Sequence, residues 1–249
     1  MADLTLATDD DGGAEIFASL QGEGPSAGRP VAFIRLSRCN LACTWCDTPY
    51  TWHFEGDERE HRDGVTYERK ANQVKLSPAE AAERIAALGQ DRLVITGGEP
   101  MLQAGALAEM LEHLDAHCPS MTVEIETNGT AKPPARLDIR VDQFNVSPKL
   151  ASSGNTSELA LVDAVLDHYA ADPRAYLKFV ISTSEDVGQV QDLARRFGFN
   201  PHRVFLMAEG TTSSALREKQ AWLGAACLHM GFRMSDRLHI HLYGDTRGT

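Results

Sequence analysis

The chain contains no apolar run approaching the roughly twenty residues of a membrane span. Its start, Met1-Ala2-Asp3-Leu4, lacks the basic segment and apolar stretch of a secretory leader. These absences predict a soluble protein of the cytoplasm that neither crosses nor anchors to a membrane. Cysteine is also scarce: of five, three crowd together, while Cys118 and Cys227 stand alone, which is no secreted disulfide framework. Positive charge is in deficit, since 24 Lys and Arg against 35 Asp and Glu give 24 − 35 = −11. Such a chain repels a phosphate backbone, so nucleic acid is excluded as a partner and a small-molecule substrate is expected.

What the chain does have is Cys39-Asn40-Leu41-Ala42-Cys43-Thr44-Trp45-Cys46, directly after the apolar run at 31–36. Three thiolates at CxxxCxxC spacing can each bind one iron of a 4Fe-4S cube, leaving the fourth iron for a substrate or cofactor. A structural zinc site normally closes its tetrahedron with four ligands, often as two close pairs. No second pair exists here, and no histidine lies within five residues of the triplet, so a zinc-stabilised binding module is the weaker reading.

A 43% hydrophobic content suffices for a large core. Residues 1–13, ending in Asp9-Asp10-Asp11-Gly12-Gly13, read as a disordered terminus, and 14–249 as one domain. Strands are predicted at 16–20 and 31–36, flanking the glycine-punctuated Gln21-Gly22-Glu23-Gly24. The charged segment 53–73 reads as an inserted loop or hairpin with a solvated face, a mobile lid being the alternative. Ser77, Pro78 and Glu80 form a capping box that opens a helix over 78–88. Leu107, Met110, Leu111 and Leu114 share a face of a second helix.

Further strands are predicted at 93–96, 122–126, 143–147, 176–181, 204–207 and 238–242, with helices at 158–170, 184–197 and 214–230. Strand-helix alternation implies a parallel sheet with right-handed crossovers. Polar residues recur just past the strand ends, as in Gly97-Gly98-Glu99, Glu126-Thr127-Asn128, Ser147-Pro148-Lys149 and Glu209-Gly210. In parallel α/β folds that rim is where ligands bind.

Gln21-Gly22-Glu23-Gly24, Phe33-Ile34-Arg35, the cysteine triplet with Asp47-Thr48, Thr96-Gly97-Gly98-Glu99-Pro100, Glu126-Thr127-Asn128-Gly129-Thr130 and Ser147-Pro148-Lys149 together resemble the 7-carboxy-7-deazaguanine synthase family of radical S-adenosylmethionine enzymes. The resemblance implies a partial (βα)6-type barrel, open on one side, with an N-terminal strand extension. It also implies a lyase of queuosine and 7-deazapurine biosynthesis. S-adenosylmethionine, held on the open iron, would be cleaved to a 5'-deoxyadenosyl radical that takes hydrogen from C6 of 6-carboxy-5,6,7,8-tetrahydropterin; ring contraction and loss of ammonia would then give 7-carboxy-7-deazaguanine. An external one-electron donor of flavodoxin or ferredoxin type and a homodimer are implied as well.

The same resemblance distributes roles. Cys39, Cys43 and Cys46 would ligate the cluster and Thr48 a Mg2+ ion. Trp45, Cys46, Asp47, Gly97, Gly98, Glu99, Ser147, Pro148 and Lys149 would hold the cofactor, the two glycines by letting backbone approach it closely. Glu209, where some relatives carry a Gln-Pro pair, is assigned the same role. Leu20, Gln21, Gly22, Glu23, Arg35, Thr96, Glu126, His239 and the C-terminal Thr249 would receive the pterin, with Glu23, Arg35 and His239 as the catalytic candidates. On a last strand at 238–242, His239 and His241 would share a face and either both line the site or both lie away from it; the family's Leu-His pair favours His239. A glycyl-radical activase is the competing reading within the superfamily.

Overall fold

A computed structural model describes residues 2–249. Ten strands, β1 Leu4–Ala7, β2 Ile16–Leu20, β3 Pro30–Leu36, β4 Gln73–Leu76, β5 Arg92–Gly97, β6 Thr122–Thr127, β7 Gln143–Val146, β8 Ala175–Ile181, β9 Val204–Ala208 and β10 Arg233–Ser235, form one sheet. Its order is β10-β9-β8-β7-β6-β5-β3-β1-β4, with β2 paired to β3. From β3 through β10 every neighbouring pair is parallel, whereas β1, β2 and β4 join antiparallel. β10 and β4 sit at opposite ends of the order, so the barrel stays open, as the family resemblance implied, and its parallel strands are those expected from the alternating pattern.

The helices are α1 Arg69–Asn72, α2 Pro78–Ala87, α3 Ala104–His117, α4 Ala135–Asp138, α5 Ser157–Ala160, α6 Asp163–Ala171, α7 Ser184–Phe197, α8 Ser213–Met230 and α9 Leu238–Tyr243. Ser77 caps α2 through the anticipated box: its hydroxyl accepts from Glu80 N, and the Glu80 carboxylate accepts from Ser77 N.

Period-two alternation separates the two faces of the strands. Ile34, Ile95, Val123, Ile125, Phe144, Leu177, Phe179 and Leu206 face outward into the helical layer, with Leu107, Leu111 and Leu166, and are buried there. The inward positions carry a smaller apolar cluster of Val31, Phe33 and Val94 and, beyond it, a run of polar side chains: Arg35 on β3, Thr96 on β5, Glu124 and Glu126 on β6, Asn145 on β7 and Lys178 on β8. The outer layer supplies the hydrophobic stabilisation, and the inner one is left for chemistry.

Three expectations fail. The helix over 158–170 is two, α5 and α6, parted by non-helical Leu161 and Val162. Residues 1–13 are not a frayed end: Leu4, Leu6 and Ala7 are fully buried, and β1 is wedged between β3 and β4. The acidic turn at 9–13 masked a four-residue strand whose apolar side chains have a core to enter. Nor is 238–242 a strand. It lies in α9, while the last strand is β10, one loop earlier. The His-Ile-His alternation imitates strand periodicity, but six residues between Arg237 and Gly244 close one short helix instead, with Ile240 as its buried anchor.

Candidate active site

The cysteine loop leaves β3 through a sharp turn. Arg38 has φ 78°, a left-handed conformation rare for a residue other than glycine. It is held there from both sides, because Arg38 N donates to Thr51 O at 2.7 Å and Arg38 O accepts from Glu99 N at 2.9 Å. The glycines before Glu99 are what permit this clamp. A Cβ on Gly97 would lie 2.1 Å from Leu36 O, and one on Gly98 1.9 Å from Arg38 O. The backbone they admit is the one leading into the cysteine loop, and both glycines also border the cleft. Glu99, fully buried, accepts from Met101 N, Asn128 N and the Thr127 hydroxyl, tying β5 to β6. Burial raises its pKa even against these donors. It clamps the rim from behind and does not line the cavity.

Beyond the turn, Cys39, Cys43 and Cys46 all line a cleft of about 540 Å³ on the C-terminal side of the strands. Burial pushes the Cys39 thiol up to about 12 and that of Cys43 to about 11, and raises Cys46 as well, with Asp47 adding to the effect. Asn155 Nδ2 donates to Cys43 Sγ at 3.4 Å, while its Oδ1 accepts from Ala42 N at 2.9 Å. Trp45 Nε1 reaches Ser152 O at 3.0 Å, fixing the loop to the 150–155 segment.

Among the described residues no three His, Cys, Asp or Glu side chains converge on one point, as a mononuclear site requires. Three separate thiols facing one cavity fit a cube, in which each meets its own iron.

Of the remaining residues singled out from sequence, Leu20, Gln21, Gly22, Glu23, Arg35, Asp47, Thr48 and Thr96 line the cleft. So do Gly97, Gly98, Glu126, Ser147, Lys149, Glu209, His239 and Thr249. Pro148 and Glu99 do not. His241 is turned away, with Nδ1 2.9 Å from Ser213 Oγ and Nε2 3.1 Å from Asp236 Oδ1. On a helix, residues two apart point in different directions, so the two histidines separate. Gly22 leaves room for His239, since a Cβ there would lie 2.0 Å from its Nδ1. Burial lowers the His239 pKa in spite of the neighbouring Glu23 carboxylate.

Several side chains are already partnered. Lys149 Nζ donates to Ser147 O and Oγ, both at 2.8 Å. Glu209 is held by Arg62 at 2.5 Å and Lys219 at 2.7 Å, which lowers its pKa against burial and leaves it a loop clasp at the rim. That contact joins the charged insertion to the end of β9. Arg35 Nε donates to Glu15 Oε1 at 2.7 Å, and Tyr50 Oη to the same carboxylate.

Sequence reasoning missed Glu15, Tyr50, Asn155, Lys178 and Arg237. Lys178 carried a signal, being a lone charge inside the apolar strand Ala175–Ile181. It bridges Glu23 at 2.6 Å and Glu126 at 2.7 Å. Arg237 binds Glu23 at 3.0 Å and forms a short ion pair with Asp47. Only the folded chain brings it there, 190 residues beyond Asp47.

A half-barrel of parallel strands with three cysteines on a strained rim loop defines a radical S-adenosylmethionine enzyme, and residues 33–150 match the Radical SAM superfamily model. With that superfamily come a 4Fe-4S cluster and S-adenosylmethionine. A 7-carboxy-7-deazaguanine synthase from Pyrobaculum aerophilum is 36% identical over 94% of this chain and 95% of its own. One from Halobacterium salinarum is 32% identical over 94% and 91%. The crystal structure of QueE from Escherichia coli superposes with a TM-score of 0.67 at 25% identity, covering 95% of each chain. The chain belongs to the 7-carboxy-7-deazaguanine synthase family.

Proposed function

We propose that the protein converts 6-carboxy-5,6,7,8-tetrahydropterin to 7-carboxy-7-deazaguanine with loss of ammonia, in queuosine and 7-deazapurine biosynthesis. The observation that carries this reading is the shared cavity: the three cysteines line it together with Gln21, Glu23, Arg35, Glu126 and His239. When bound, the cluster and S-adenosylmethionine supply the 5'-deoxyadenosyl radical that removes a substrate hydrogen. The protein's own groups bind, orient and exclude water around that event.

Gln21 is nearly locked, its Nε2 donating to Glu124 Oε1 at 2.9 Å and its Oε1 accepting from Glu23 N at 3.2 Å. It presents a fixed amide to the pterin edge, beside Glu23 and Glu126 as acceptors for ring N–H groups. Arg35 receives the substrate carboxylate, its guanidinium held charged against burial by the Glu15 carboxylate. Ser147 and Lys149 face the cofactor. Asp47, ionised beside Arg237, ties the end of the cysteine loop to the approach of α9. The tail 244–249 closes the remaining side, with the Arg247 guanidinium 3.7 Å above the Tyr50 ring and Thr249 on the cavity wall.

Thr48, whose hydroxyl lies 3.7 Å from Cys46 Sγ and whose residue lines the cleft, is the Mg2+ ligand in this reading. An ion held there would supply electrostatic polarisation of the bound substrate. A flavodoxin- or ferredoxin-type donor supplies the electron, the enzyme is a homodimer, and it works in the cytoplasm, where reducing conditions keep its five free cysteines available. Among the described residues no helix is long and apolar enough to cross a membrane.

The test is anaerobic incubation of reduced, cluster-loaded enzyme with S-adenosylmethionine, Mg2+ and the carboxytetrahydropterin. Formation of 7-carboxy-7-deazaguanine is expected; its absence with an intact cluster overturns the assignment. Thr48→Ala is expected to blunt the response to Mg2+ more than it reduces iron content, and an unchanged Mg2+ dependence removes Thr48 from the site.

A further inference from the structure

Lys178 is a buried cation set between two carboxylates. It stands on the inner face of β8 and is 4% exposed. Its ammonium donates to one oxygen of Glu23, from the loop after β2, and to one of Glu126, from β6. Two buried carboxylates close enough to share one ammonium repel each other, and without the cation one of them takes up a proton.

Charged and polar groups from several other elements face the pair. Arg237, before α9, binds the second oxygen of Glu23. His239 on α9 lies 3.9 Å from that oxygen, and Asp47 sits on the far side of Arg237. Glu124, held by Arg92 at 3.2 Å, neighbours Glu126 on β6. The second Glu126 oxygen accepts from Asn145 Nδ2 at 2.9 Å and, more weakly, from Gln21 at 3.4 Å. The pair is therefore unequal. Burial acts to raise Glu23, but Lys178 and Arg237 outweigh it and hold this carboxyl well below the usual range. Glu126 has no arginine, and burial together with the Glu23 and Glu124 carboxylates leaves it raised in spite of Lys178.

We propose that Lys178 is the positioning residue that keeps Glu23 and Glu126 side by side as hydrogen-bond acceptors, so that the cavity selects a heterocycle whose edge presents neighbouring N–H donors. The inference rests on the pterin reading above and deepens it. A protonated Glu126 would turn an O–H toward a substrate N–H, and two donors facing each other in a buried site leave both unsatisfied. Discrimination between hydrogen-bonding partners is steep in sites of this kind.

Calorimetric titration of the cluster- and S-adenosylmethionine-loaded enzyme with the carboxytetrahydropterin, without reductant so that no turnover occurs, reads Kd against pH. Wild type is expected to bind with a nearly constant Kd from about pH 6.5 to about pH 8.5, whereas Lys178→Met binds about tenfold or more weakly at the acid end and recovers most of the loss as rising pH ionises Glu126 again. Lys178→Gln, which keeps an N–H donor without the charge, serves if the methionine variant does not fold and is expected to show the same slope. Lys178→Arg should restore the flat profile. Lys178→Met combined with Glu126→Gln should bind weakly at every pH, because no like-charged pair remains. A neutral Lys178 variant whose profile runs parallel to wild type, or a double variant that keeps the slope, overturns the inference and leaves the pterin assignment standing. Failure of the wild type to bind the pterin at all overturns both.

Discussion

Asn155 is the side chain through which the fold acts on a single sulfur. Its amide N–H reaches Cys43 Sγ and its carbonyl holds the backbone at Ala42. N–H···S bonds withdraw charge from cluster thiolates and raise the reduction potential. Asn155→Ala is expected to move the potential of the loaded cluster to a more negative value while three-cysteine ligation survives, as a redox titration followed by electron paramagnetic resonance would read. Cys43→Ala, by contrast, should abolish reductive cleavage of S-adenosylmethionine with the strand and helix content unchanged by circular dichroism. The cysteines could be read from the sequence because their spacing is local. Asn155 could not, since it lies 112 residues from the sulfur it touches.

Among the elements, α2 isolates a purely structural contribution. Ser77 and Glu80 satisfy two backbone N–H groups at its start, and Ser77→Ala should cost about 1 kcal/mol of stability, equivalent to a melting shift of about 2–4 °C in a chain of this size. Because the cap is far in function from the cleft, activity should be unaffected. That helix was legible because capping is a four-residue code. The parallel strands were legible because alternation with helices leaves few topologies. β1, β4 and α9 were not, being segments of four to six residues whose local pattern is ambiguous until neighbouring elements provide a partner. The misread α9 changed the prediction for one histidine and spared the other: His239 reaches the cleft, and His241 is a partner of Asp236.

For the molecule as a whole, the inner polar layer sets how stability responds to acid. The folded pKa of Glu23 is depressed, so its ion pairs with Lys178 and Arg237 stabilise the fold at neutral pH and down through the unfolded value of 4.5; the contribution is lost only as pH falls further, through the folded value. Denaturant unfolding of wild type and Glu23→Gln should therefore show a stability difference that is constant from neutral pH to near that value and shrinks below it.

The first strand ties these scales together. Thr5 O accepts from Ser37 N at 3.0 Å, and Gln103 Nε2 reaches both Thr5 O and Ser37 O. Ser37 is the residue before the strained turn at Arg38, so the opening segment of the chain braces the iron-binding loop from behind. Trimming residues 2–7 as dispensable would loosen a hinge two residues from the first ligand: such a protein should leave purification pale and iron-poor although none of its cysteines has been changed.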